Sequence, residues 1–271
     1  MSETTAQRIR YKKPPIIERV VTCIADVSEE SFYGKFDAWK DLVHAEFPEY
    51  DPIKEWSLNV GMKEGVPVFT ESMPEVRITH RFWKKNAKGK RFMSMRLLPN
   101  QLTLNLHREE GNPHAFEDLF AEFQRWLPQW FGHFGATGAS AVQLDYINLL
   151  SGATTPSFMD QYGALQIGSI LKQFGSVPGR FQAIIPPYDC QLGLLIDAAR
   201  RARFTMRVLA IMTAPNQGTA VRVDFQAAVD RDSPSLTVPQ VFTEADFLHT
   251  VMVQQFEALF TDAAKKTFEP V

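Results

Sequence analysis

The chain is poor in the residues that staple or metallate a small fold. Two cysteines, Cys23 and Cys190, are spread over 271 residues. They argue against a disulfide scaffold and a structural zinc site, and fit a reducing cytoplasm. No stretch reaches the roughly 18 consecutive apolar residues that a membrane-spanning helix needs. The opening MSETTAQRIRYKK has no apolar run, so no secretory signal is expected. An excess of one charge is also missing. The formal net charge is −2, so a nucleic acid or anionic membrane would need a local patch rather than an overall field. Catalytic signatures are absent too: no Gly-x-Ser-x-Gly elbow, no Walker-type phosphate loop, no His-Glu-x-x-His. None of His44, His80, His107, His114, His133 and His249 stands at a metal-ligand spacing. The expectation is no metal, no cofactor and no catalytic residue.

What the chain has is aromatic bulk. There are 21 phenylalanines, and Phe116, Leu119, Phe120, Phe123, Leu127, Trp130 and Phe131 recur at helical spacing. Gly135-x-x-Gly138 then stops the helix and makes a turn. In the following segment Val142, Leu144 and Tyr146 alternate with Gln143 and Asp145, the period of a strand. This helix and strand lie at mid-chain. Upstream, a strand over Ile16–Val27 leads to a helix capped at Ser28 or Ser31, with Phe32, Phe36, Trp39, Val43 and Phe47 as its stripe. Segments rich in alternating apolar residues follow up to Arg108, with a hairpin turn at Asn86–Gly89. Downstream of Leu150 come an interrupted helix over Phe158–Phe174 and strands over 180–196, 203–213 and 220–230, with a turn at 214–218. Last is a helix with Thr243 as its candidate N-cap and a Pro-containing loop over 233–240 before it.

Both halves, 1–135 and 136–271, read as strand, helix, antiparallel meander and long helix. The predicted class is α+β: two pseudo-repeated halves, packed as one unit, forming curved antiparallel sheet backed by helices. The element order is analogous to that of TATA-binding-protein-like folds, an analogy that carries no function.

Tyr11-x-x-Pro14-Pro15-Ile16-x-Glu18 resembles the opening of a sporadically distributed family of uncharacterised bacterial proteins. Asp145-Tyr146-Ile147-Asn148 and the Phe256–Thr261 segment resemble its mid-chain and closing motifs. Asp145 replaces a usual basic residue, and Arg19 stands where small residues are common. The resemblance implies no activity.

Two groups of residues invite a functional reading. From Arg77 to Arg96 the chain holds Arg77, Arg81, Lys84, Lys85, Lys88, Lys90, Arg91 and Arg96 and no acid, with Phe82, Trp83 and Phe92 interleaved. Cations and rings in this pattern suit a polyanion or nucleic acid; a lysine-rich hairpin tip that keeps a sheet soluble is the plainer reading. Arg200, Arg201, Arg203 and Arg207 form a smaller group. The second candidate is an inter-half polar cluster of Tyr11, Glu18, Asp145 and Asn148. Two carboxylates there could do acid–base work or close the seam through hydrogen bonds. His80 and His107, on neighbouring strands, could face each other. Cys190 has no local base and reads as structural. The preferred function is a non-catalytic cytoplasmic binding or scaffold protein, an accessory subunit with a protein partner. A homo-oligomer is compatible with this reading, nucleic-acid binding and a Glu18/Asp145 enzyme are the alternatives, and no membrane partner is expected.

Overall fold

The computed structural model describes residues 11, 14–57, 60–63, 66–69, 75–107, 116–151, 155–158, 165–174, 189–212 and 219–269. The strand expected over 180–185 and the turn over 214–218 lie outside them. Chain order in the first half is β1 (Ile16–Ala25), α1 (Glu29–His44), β2 (Glu49–Tyr50), β3 (Ile53–Ser57), β4 (Val60–Lys63), β5 (Val66–Phe69), β6 (Glu75–Lys85), β7 (Arg91–Leu98), β8 (Gln101–His107) and α2 (Phe116–Phe134). Then follow β9 (Ala139–Leu150), α3 (Ile167–Ile170), β10 (Asp189–Asp197), β11 (Ala202–Met212), β12 (Thr219–Asp230), α4 (Val238–Leu259) and α5 (Asp262–Thr267).

Ten strands join in one large curved antiparallel sheet, ordered β10-β11-β12-β9-β1-β8-β7-β6-β2, with β3 also pairing β6. β4 and β5 form a separate hairpin. The sheet is antiparallel at every junction: β6–β7, β7–β8, β10–β11 and β11–β12 join strands consecutive in the chain, whereas β1 pairs β8 and β9, and β9 pairs β12, across longer connections. Counting outward from the central pair gives β8, β7, β6 on one side and β12, β11, β10 on the other.

One face of this sheet is covered by α1, α2 and α4, and the core lies there. Strand parity sets which residues enter it. On β9, Val142, Leu144, Tyr146, Asn148 and Leu150 are buried against the helices, while Gln143, Asp145, Ile147 and Leu149 face the other way. The α2 stripe buries Phe116, Leu119, Phe123, Leu127 and Trp130 as its spacing dictates. Ser28 caps α1 by accepting from the Ser31 N–H at 3.1 Å. Tyr11 packs on Phe256 and Phe268 and donates to Glu257 at 2.7 Å, fastening the N-terminal segment to α4.

The crossing from α2 to β9 is tied to the end of β1. Gly135, at φ 77°, ends the helix, its N–H reaching the Phe131 carbonyl at 2.8 Å. Asp26 accepts the Thr137 N–H at 2.8 Å, the Gly138 N–H at 3.1 Å and the Thr137 hydroxyl. Partial burial raises the Asp26 pKa, but these donors outweigh it and hold the carboxyl below its usual range. Gly138 has no room for a side chain: a Cβ would meet the Pro234 carbonyl oxygen at 2.6 Å.

Three expectations need correction. The last helix starts at Val238, not near Thr243, because Thr237 and Gln240 form a capping box. Pro239 fits the first turn, where its missing N–H has no helical partner to lose. In 158–174 the described residues form only short helical pieces, 156–158, α3 and 172–174, consistent with the glycine interruptions. His80 and His107 face opposite sides of the sheet: His80 is buried under α1 against Phe36 at 4.0 Å, whereas His107 pairs across from Glu18 on the open side.

Candidate functional site

The helix-free face of the sheet forms a hollow of about 720 Å³, lined by residues of both halves. Its floor can be read as rows across paired strands. One row runs Arg207, Asp224, Ile147, Glu18, His107; the next runs Thr205, Gln226, Asp145, Val20, Asn105; a third runs Arg203, Ala228, Gln143, Thr22, Thr103, Arg96. Neighbours in a row are close enough for their side chains to meet, and diagonal neighbours on adjacent strands lie roughly 7–8 Å apart at Cα.

Those distances produce linked polar groups. Arg96 Nε donates to Asn105 Oδ1 at 3.0 Å, and Asn105 Nδ2 donates to Glu18. His107 Nδ1 lies 3.9 Å from Glu18 Oε2, and its ring packs on Trp83. Burial lowers the His107 pKa; Glu18 opposes this shift, and Arg96 and Arg81 reinforce it. On the other side of the floor, Gln143 Nε2 donates to both Asp145 oxygens at 2.8 and 3.1 Å, and Gln226 Nε2 to Oδ1 at 2.9 Å. Arg222 Nε donates to Asp224 at 2.7 Å. Thr22 and Thr103 hydroxyls meet at 3.1 Å.

Burial is the largest influence on Asp145 and raises its pKa; the two glutamine amides and the more distant Arg96 oppose it and Asp224 adds to it. Because the folded pKa exceeds the usual 3.8, ionising this carboxyl costs stability. That contribution is favourable at low pH and is lost as pH rises from the unfolded to the folded pKa. Asp145→Asn, whose Oδ1 can still accept both amides, therefore melts above the wild type at pH 7. The gap closes below the usual carboxylate range, as thermal melts across pH will show.

Of the four residues expected to cluster, two are brought together on this floor. Glu18 and Asp145 lie on adjacent strands, same face, one row apart. Each is tied to its own partners, Glu18 toward β8 and Asp145 toward β12. Tyr11 and Asn148 are elsewhere. Asn148 is three residues from Asp145, so parity turns it to the helix side, where its Nδ2 donates to the Val223 carbonyl at 2.9 Å. Tyr11 is held at α4.

The basic run is largely matched by acids distant in sequence. Arg81 pairs with Asp51, Lys84 with Glu122 at 2.7 Å, and Lys85 and Arg91 with Glu49. Hydrogen bonds from Arg91 and then Lys85 pull the Glu49 pKa down to about 2. Arg81 and Arg91 both lie 5.0 Å over the Trp83 ring. Lys88 and Lys90 stand exposed at the hairpin tip. Arg77 is on β6, and its side chain is outside the described residues. The smaller group is matched as well: Arg200 with Glu244, Arg201 with Asp232, Arg203 with Asp230 and Arg207 with Asp189. Cys190, half-buried, sits on the edge strand β10.

The floor residues of β12 were missed by sequence reasoning. The signal was present: Arg222, Asp224 and Gln226 alternate with Val221, Val223 and Phe225. Among the described residues no helix is long and apolar enough to cross a membrane, and no group of three or more His, Cys, Asp or Glu could hold a metal.

No protein-family model and no curated protein matches the chain. Among solved structures, the di-domain ARO/CYC StfQ from the steffimycin biosynthetic pathway aligns over 89% of this chain and 96% of that one, at 8% identity and a TM-score of 0.15. That score is too low to establish a shared fold.

Proposed function

We propose that the protein is a binding protein whose ligand lies in the hollow on the open face of the sheet. The carrying observation is the floor itself: polar side chains from β1, β7, β8, β9, β11 and β12 converge on a concavity of about 720 Å³, within the size range of small-molecule sites. We read the chain as a duplicated unit, its copies meeting at β1 and β9 and each supplying one wall. The mirrored strand order about that pair supports this. A scaffold role with a protein partner is compatible with a ligand in the hollow.

The polyanion alternative is less well supported. Arg81, Lys84, Lys85 and Arg91 each face an acid, so a phosphate backbone would have to displace carboxylates already in place. The enzyme alternative has one favouring observation: Glu18 and Asp145 share the hollow, and Asp145 has a raised pKa.

The test is a thermal-shift screen of metabolites against the wild type and Thr205→Trp, a substitution that fills the hollow from β11. A ligand at about 100 times its Kd stabilises by about 2.7 kcal/mol. That shift is expected in the wild type and lost in the variant. An equal shift in both overturns the assignment, and turnover of the stabilising compound favours the enzyme reading.

A further inference from the structure

The floor of the hollow holds three carboxylates, and two have basic groups facing them. Asp224 takes Arg222 at 2.7 Å, and Glu18 has His107 at 3.9 Å besides the Asn105 amide. Asp145 differs. Among the described residues its oxygens accept only the amide N–H groups of Gln143 and Gln226. Among the described residues no Lys, Arg or His stands within ion-pair distance of it. Amides orient a carboxylate but do not cancel its charge.

Its surroundings narrow the ligand. Val20 lies directly opposite Asp145 on β1, Ile147 is the next residue on the same face of β9, and Ile24 lines the hollow further along β1. Desolvation by these neighbours makes the charge costly, and the two amides and the more distant Arg96 offset only part of that cost, as the upward pKa shift reflects. A cation delivered by a ligand offsets that cost. Guanidinium groups line the hollow on both sides of Asp145: Arg96 from β7, and Arg207 and Arg222 from β11 and β12. Arg207 and Arg222 are already paired with Asp189 and Asp224, and Arg96 donates to Asn105.

We infer, resting on the hollow being the binding site, that its ligand is a small organic amine: the ammonium group sits on Asp145 and an alkyl stem runs along Val20 and Ile147.

The experiment uses pentylamine, pentan-1-ol and pentanoate as probes, titrated by calorimetry into the full chain and into Asp145→Asn at pH 7. Melting curves establish that the variant is folded. Pentylamine is expected to bind the wild type at least about tenfold more tightly than the alcohol or the acid, a difference of about 1.4 kcal/mol. In Asp145→Asn it falls to the level of the alcohol. Equal binding of alcohol or acid overturns the amine assignment and leaves the hollow as the binding site. Unchanged amine binding in Asp145→Asn also overturns it, as does failure of all three probes. The hollow itself fails separately, when Thr205→Trp leaves the stabilising ligands of the thermal-shift screen unaffected.

Discussion

Trp130→Ala is expected to lower the stability of the fold by about 3–5 kcal/mol, the cost of removing a buried large aromatic side chain. Trp130 is fully buried on the sheet-facing side of α2 and packs edge-on against Phe131 and Phe134. No neighbouring backbone can close the space left, because the sheet beneath is hydrogen-bonded on both sides of β1. In a chain of this length each kcal/mol moves the melting temperature by roughly 2–4 °C, so the loss is read by calorimetry or circular dichroism. Trp130→Phe is the informative control. The indole N–H is buried without an acceptor among the described residues, so phenylalanine removes an unsatisfied donor along with some volume. It should cost far less than alanine. Equal losses in the two variants would show that the site depends on indole shape rather than on filled volume.

His249→Ala is expected to cost about 3 kcal/mol. His249 joins three elements: it sits on α4, stacks on Phe116 of α2 at 3.9 Å between ring centroids, and shares a hydrogen bond of 2.6 Å with the Tyr146 hydroxyl of β9. Tyr146 and His249 are both nearly inaccessible, at 3% and 6%. Alanine there loses the stacked ring and leaves the buried hydroxyl short of one partner, a loss of about 1–3 kcal/mol for the polar part. Tyr146→Phe alone should cost about 0.5–1.5 kcal/mol. The double variant separates the two contributions. Its loss should fall short of the sum of the singles by about 0.5–3 kcal/mol, the range for groups in direct contact. Strict additivity in denaturant melts would mean that the hydrogen bond contributes nothing and the ring packing everything.

The legible part of the fold is the part written in short-range periodicity. Val142, Leu144 and Tyr146 alternate with Gln143 and Asp145, and the strand presents them to opposite faces as that pattern dictates. The α2 stripe and the Ser28 cap were readable for the same reason. Asn148 was misplaced by neglect of the same rule, since an odd separation from Asp145 puts it on the other side. The Thr237 start of α4 was hidden by the prolines around it, which read as loop. Charge matching was illegible for another reason. The run from Arg77 to Arg96 contains no acid, and the acids that meet it, Glu46, Glu49, Asp51 and Glu122, come from segments before and after it. Only the folded sheet brings them together. The hollow combines both cases: its alternating residues are visible on each strand, but their assembly into one floor depends on the order of strands.

The tie between Asp26 and the Thr137–Gly138 turn bears on what happens when the chain is severed. A cut in the turn, between Phe134 and Ala139, leaves one fragment ending in α2 with the β9-facing edge of β1 bare, and another beginning at β9 with its β1-facing edge bare. Each piece gains one unpaired sheet edge. The two bare edges are complementary in register over Glu18–Ile24 and Ala141–Ile147. Mixed, the fragments have a template for recombining across β1 and β9, and with them the two walls of the hollow. The molecule is thus a natural candidate for a split reporter, in which the proposed ligand site re-forms only when both pieces are present.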